Sequence, residues 1–217
     1  MAKQAREPFQ FVSAFYLVVI GLESAHTLRD LGKQLATVSP DSIFCHTFHS
    51  LVTHHYTSYS SDFAQWTMAA CNESELAEQL GAIDVRQFVE LEDLRSALVH
   101  AVDNFLRANP QAGDRPAFEP FYFSQTREVE IPLDLRASNL AELADGIRHM
   151  SLHSLHYHFV NSRLRLHLRT NDFSHWIGRE LGFPELAAQV NRVDFYTNTL
   201  PEVREGILSC INPWINR

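Results

Sequence analysis

Two histidine and aspartate pairs are the residues of this chain best suited to chemistry: His46 with Asp62, and His158 with Asp172. A histidine beside a carboxylate is the minimal set for general acid–base work or for holding a metal ion. The same residues also admit a structural reading. Asp62 follows Ser61 and Asp172 follows Asn171, residue types that open helices, so each aspartate reads as part of a helix cap and each histidine as its hydrogen-bond partner. His55 and His167 each lie nine residues after the first histidines, which on a continuous helix turns them to the opposite face, so one helix cannot aim both at one ion. His54-His55 and His153-x-x-His156 have no counterparts elsewhere in the chain and read as surface. No set of three or four ligands can be assembled, so no metal and no cofactor is assigned. Trp66 and Trp176 stand three residues after Phe63 and Phe173. That spacing is usual for core packing, although a tryptophan also makes an aromatic platform for a sugar or base.

Arg163, Arg165 and Arg169, with His167, alternate with Leu164, Leu166 and Leu168. Guanidinium forks suit carboxylate or phosphate partners, so this cluster is the expected site for an acidic small ligand, against the alternative of a solvated face paired with Glu and Asp. Cys45, Cys71 and Cys210 are odd in number and widely scattered, which indicates neither a disulfide framework nor a thiolate zinc cage and fits a reducing, cytoplasmic setting. None has an evident base beside it, so all three are expected to be inert. His-Glu-x-x-His, Cys-x-x-Cys, phosphate loops and the Ser-His-Asp order are all missing.

The whole chain has 217 residues, 45% of them hydrophobic, enough for one large domain or two small ones. Only 18 Lys and Arg stand against 26 Asp and Glu, and a formal charge of −8 gives no pull towards nucleic acid or an anionic membrane. Lys3 and Arg6 before the apolar run from Ala14 to Leu22 superficially suggest a secretory signal. That run is too short to span a membrane, and its counterpart after Phe121 alternates with period two, so it reads as a strand and not as a cleaved signal.

The elements that must position these residues come in two sets. Shifting the sequence by about 112 positions brings Phe9 onto Phe121, Phe11 onto Phe123, Leu28 onto Leu140, Leu31 onto Leu143 and His46 onto His158. A gap of two residues then pairs Asp62 with Asp172, Phe63 with Phe173 and Trp66 with Trp176, and a further slip pairs Arg95 with Arg204. Amphipathic helices alone would match leucines but not Trp, His and Asp. The chain therefore reads as a tandem duplication, with a first repeat over residues 9–106, a linker over 107–120 and a second repeat over 121–215. Two copies argue for a pseudo-two-fold pair rather than a solenoid. Each copy reads as an N-terminal strand followed by about five helices. The fold class is α+β, helix-dominated.

Ser154-Leu155-His156-Tyr157-His158-Phe159, then Ser162-Arg163-Leu164-Arg165-Leu166, Thr170-Asn171-Asp172-Phe173-Ser174 and Trp176, resemble an uncharacterised prokaryotic group catalogued only as a domain of unknown function. Ser42-Ile43-Phe44-Cys45-His46-Thr47 and Ser61-Asp62-Phe63-Ala64-Gln65-Trp66 are similar in the first half. The resemblance covers nearly the whole chain and implies fold and duplication without an activity. The first half departs from the second at Cys45 for Tyr157 and at Ser61 for Asn171.

The two opening strands differ in one respect. The odd-numbered face is apolar in both, but the even-numbered face is Tyr122, Ser124, Thr126, Glu128 and Glu130 in the second and Val12, Ala14, Tyr16, Val18 and Ile20 in the first. A strand apolar on both faces is normally covered on both. Val12, Tyr16, Val18 and Ile20 are therefore expected to form an interface with a second copy or another protein, burial inside the chain being the alternative. The expected function is a non-catalytic binding or interaction module docking a protein partner or an acidic small ligand. The rival is a small enzyme or metal-binding protein using His158 with Asp172 and His46 with Asp62.

Overall fold

A computed structural model describes residues 3–50, 59, 61–195 and 197–215, with the backbone alone at Arg165 and Leu166. The fold is α+β and helix-dominated, and the strands β1 (Phe9–Ala25) and β2 (Phe121–Ala137) form a two-stranded sheet. The helices after β1 are α1 (Leu28–Thr37), α2 (Pro40–Phe44), α3 (Asp62–Ala69), α4 (Ser74–Gly81) and α5 (Leu91–Ala108). After β2 come α6 (Leu140–His149), α7 (Leu152–His156), α8 (Ser162–Leu166), α9 (Asp172–Arg179), α10 (Pro184–Asn191) and α11 (Leu200–Ile211). A π-helical turn, Cys45–His49, continues α2, and another, Tyr157–Asn161, joins α7 to α8. No helix among the described residues is long and apolar enough to cross a membrane.

Local chemistry explains the helices. In α1 and α6 the apolar residues recur at three or four, and Leu28, Leu31, Leu35, Leu140, Leu143 and Ile147 are all buried on one stripe. Thr27 Oγ1 accepts from the Asp30 N–H at 3.1 Å, and Asn139 Oδ1 accepts from the Glu142 N–H at 3.0 Å, so each helix opens on a side-chain cap. Their last carbonyls are met from the closing helices: Arg95 of α5 donates to Leu35 O, and Arg204 of α11 to Met150 O, both at 2.6 Å. Ser39 and Ser151 cap α2 and α7 through the Ser42 and Ser154 N–H groups.

The chain divides into two compact units, a continuous unit (Tyr16–Arg127) and a split unit (Met1–Phe15 with Glu128–Arg217). These units are not coextensive with stretches 9–106 and 121–215. The opening strand of each stretch, Phe9–Phe15 and Phe121–Arg127, lies in the unit that holds the helices of the other. Within the continuous unit α1 packs on α5, and α3 on α4. In the split unit α9 packs on α10, and α11 on α6 and α10.

The sheet pairs its strands antiparallel. In the split unit the Gln10 side chain reaches Leu133 O and Leu135 O, while in the continuous unit Gly21 faces Phe123 O, so partner numbers fall as β1 numbers rise. Strict alternation along β1 does not hold. Phe9 and Phe11 are buried and the next buried residue is Ala14, with Val12 and Ser13 both half-buried between them, so the inward side passes from odd to even numbers. The expectation of a covered odd face fails beyond that point. Leu17 and Val19 are more than half exposed, as are Val18 and Ile20, and burial of that stretch inside the chain is overturned.

Candidate functional site

The two histidine and aspartate pairs are formed. In the split unit His158 lies in the π-helical turn and Asp172 is the first residue of α9, and His158 Nδ1 stands 2.7 Å from Asp172 Oδ2. The other ring nitrogen, Nε2, accepts from the Val12 N–H of β1 at 3.0 Å. In the continuous unit His46 Nδ1 stands 2.7 Å from Asp62 Oδ2, and Nε2 accepts from the Ser124 N–H of β2 at 2.8 Å. A backbone N–H can only donate, so each Nε2 must present its lone pair and each proton sits on Nδ1, facing the carboxylate. The geometry thus selects a neutral ring and one tautomer. A lone pair committed to a strand N–H is not offered to a metal or a substrate proton.

The tryptophans complete the arrangement. Trp176 Nε1–H donates to Glu7 O, and Trp66 Nε1–H to Glu119 O, both at 2.8 Å. Between these anchors Phe9 packs its ring 5.0 Å from His158, 5.4 Å from Phe173 and 5.9 Å from Trp176. Phe121 lies 4.7 Å from His46, 5.2 Å from Phe63 and 5.7 Å from Trp66. Each unit therefore contains a cleft that grips an incoming strand by one carbonyl, one N–H and an aromatic side chain. The tryptophans are strand anchors and core, not a platform open to a sugar or base.

The aspartates are not the helix caps. Asn171 is the N-cap of α9, its Oδ1 accepting from the Ser174 N–H at 2.9 Å, and Asp172 stands one residue inside. Ser61 precedes α3 without a side-chain capping bond. Asp62 and Asp172, at a helix's positive end, instead turn outward to the imidazoles.

The π-helical turns bury consecutive residues, as single-residue widening of a helix does where function or packing requires it. Cys45, His46, Thr47, Phe48 and His49 are all buried, and so are the five residues Tyr157–Asn161. The units differ here. Tyr16 of β1 packs on His49 with ring centroids 4.8 Å apart, whereas at the matching place Asn161 Nδ2 donates to Glu128 Oε2 at 3.2 Å. His156, expected at the surface, is fully buried, while His153 and His167 are exposed. His167 adopts φ 51° and ends α8, so His158 and His167 share no continuous helix. His54 and His55 lie outside the described residues.

The three arginines are not gathered on one surface. Arg163 is only 3% exposed, because the segment is helical rather than extended and this position faces inward. Its guanidinium donates to Phe159 O at 3.0 Å and Asn191 Oδ1 at 3.3 Å and lies over the Phe195 ring. Arg169 is exposed, and the Arg165 side chain is outside the described residues. The cysteine thiols are all pushed up by burial, Cys71 to about 12 with Glu73 adding to the effect. Among the described residues, no group of three or more His, Cys, Asp or Glu is placed to hold a metal ion.

Sequence reasoning found the two opening strands but missed that each fills a cleft among the helices of the other stretch. Both occupants read Glu-Pro-Phe-x-Phe, at residues 7–11 and 119–123, and that repeated pentapeptide is the signal that marks them.

A model of a family described as of unknown function (DUF5752) matches residues 6–212. No curated protein matches the chain. Among solved structures the chain is similar to OrfY from Thermoproteus tenax, with 28% identity, a TM-score of 0.85, and coverage of 99% of this chain and 98% of that one.

Proposed function

The chain belongs to the DUF5752 family, and we propose that it is a non-catalytic interaction module that docks a protein, in the first instance a second copy of itself, through the apolar outer stretch of β1. One observation carries this reading. Leu17, Val18, Val19, Ile20 and Leu22 are 59%, 52%, 55%, 72% and 100% exposed, an uninterrupted apolar run on a strand of a two-stranded sheet. A contiguous exposed patch of this kind marks an interaction site more often than a free surface. Phe15 to Leu22 contains no charged side chain, so in a chain of net charge −8 this stretch brings two copies together without opposing like charges. Of the four residues expected at the interface, Val18 and Ile20 are available, while Val12 and Tyr16 are half-buried.

The histidine geometry supports a binding role rather than a catalytic one, because each Nε2 already serves a strand N–H and each Nδ1 an aspartate carboxylate. The duplication fits the same reading: α1 and α6, α2 and α7, α3 and α9, α4 and α10 follow in the same order, each pair separated by 112 or 110 positions. Unpaired cysteines fit a reducing compartment such as the cytoplasm.

Sedimentation of the wild type and of Val18→Glu tests the proposal. The wild type is expected to associate with rising concentration, and Val18→Glu to stay folded and to lose the association made through Leu17–Leu22. A wild type that is monomeric at every concentration overturns self-docking through this stretch.

A further inference from the structure

The two clefts hold occupants of one written form. Glu7-Pro8-Phe9-Gln10-Phe11 fills the split unit's cleft, and Glu119-Pro120-Phe121-Tyr122-Phe123 fills the other. In each, tryptophan grips the glutamate carbonyl, the first phenylalanine enters the aromatic nest, and the N–H five residues after the glutamate donates to histidine. The split unit's cleft is shaped further for its second phenylalanine. Gly146 of α6 lies so close that an added Cβ would stand 2.1 Å from the Phe11 ring, so only glycine leaves room for Phe11. Phe11 is fully buried there, 4.9 Å from Phe9 in an edge-on contact.

This occupant is tied to its cleft through a long path. The chain leaves the split unit after Phe15, runs through all of Tyr16–Arg127 and returns at Glu128. The strand and the helices that form its cleft are thus joined only by way of Tyr16–Arg127, so the strand can leave its cleft without interrupting those helices. The contacts that hold the strand, among them two backbone hydrogen bonds, two phenylalanines and the reach of Gln10 to Leu133 O, are available unchanged to an identical strand arriving from outside, which is the condition for exchanging an element between protomers. We propose that the split unit's cleft accepts the Glu-Pro-Phe-x-Phe strand of a second copy in place of its own, giving strand-exchanged dimers. This association is separate from docking through Leu17–Leu22.

Two full-length variants test it, both carrying Val18→Glu so that the apolar stretch does not contribute. One has a spoiled strand, Phe9→Ser with Phe11→Ser, and the other a spoiled cleft, His158→Ala with Trp176→Ala. Each alone is expected to sediment as a monomer, and their mixture to yield a two-chain heteromer, since the intact strand of one fills the intact cleft of the other. A mixture that sediments as the sum of its parts overturns the proposal. A labelled peptide spanning Arg6–Phe15 guards against failure of a variant to fold. It is expected to bind the strand-spoiled variant saturably, to restore its helical circular dichroism if that has been lost, and to bind at least about tenfold more tightly than the same peptide with both phenylalanines replaced by serine. No binding and no restoration overturns the cleft as a strand site. Peptide binding without a heteromer overturns the second copy as its occupant.

Discussion

His158 and His46 show how a pair that looks catalytic in a sequence becomes a tie in a fold. Each imidazole donates through Nδ1 to a carboxylate and accepts through Nε2 from a strand, with His158 2% exposed and His46 6%. Removing the acceptor leaves a buried donor unmet. Asp172→Ala is therefore expected to cost roughly 1–3 kcal/mol in urea unfolding, and Asp172→Asn, which keeps a carbonyl acceptor, distinctly less. Added zinc is expected to leave the melting temperature of the wild type unchanged. A zinc-dependent rise that His158→Ala abolishes would show that the Nε2 lone pair is available after all. The thiols give a second test. With Cys71 pushed up to about 12, native protein at pH 8 is expected to alkylate there roughly a thousandfold more slowly than unfolded protein, as mass spectrometry after iodoacetamide would show. The sign for stability follows from the same shift: the folded thiol is the more reluctant acid, so its contribution is complete below the ordinary thiol range and is lost as pH rises through it towards 12. Arg163 was the least legible residue. Arginines alternating with leucines look like an outward row, but one turn of helix sends the first of them in beneath Phe195.

At the scale of elements, much of the fold was legible. The leucine stripes of α1 and α6, the caps at Thr27, Ser39 and Asn139, and the starts of α3 and α9 are local properties, and local chemistry sets them. The cap assignment within α9 was legible only to within one residue. Asn171→Ala is expected to cost about 1 kcal/mol, and Ser61→Ala, where no capping bond exists, to be close to neutral on the same denaturation assay. Gly146→Ala separates close approach from mere helix propensity. In an open helix the change would stabilise, whereas against the Phe11 ring it is expected to destabilise by about 1–3 kcal/mol. Gly32→Ala is the control, since a Cβ there meets only the Val102 side chain at 3.2 Å. The π-helical turns had no signature in the sequence. They register as a helix in which every side is buried, a pattern that an apolar run with two histidines does not announce.

The whole molecule is where reading by sequence stopped. Periodicity shows that Phe9–Phe15 is a strand, but it cannot show which set of helices will cover it, because that choice rests on contacts such as Trp176 to Glu7, 169 residues apart. Phe9→Ala should therefore loosen the distant set of helices and not the adjacent one. Hydrogen exchange is expected to speed up across α6–α11 and to change little across α1–α5, with a total cost of about 3–5 kcal/mol for so buried a ring. Faster exchange confined to α1–α5 would contradict the assignment of Phe9 to the split unit. The same placement governs the order in which the protein can be completed as it is made. Once Arg127 has been added, the continuous unit has all of its residues and can close. Phe9 and Phe11, made long before, must wait for Gly146, His158 and Trp176, and at 5–20 residues per second that wait is on the order of 10 s or more. Only over the last 49 residues of that wait, from Arg127 to Trp176 and roughly 2–10 s, does a newly made chain carry a finished unit and, ahead of it, an unclaimed aromatic strand, which is the stage of synthesis most open to association with another chain.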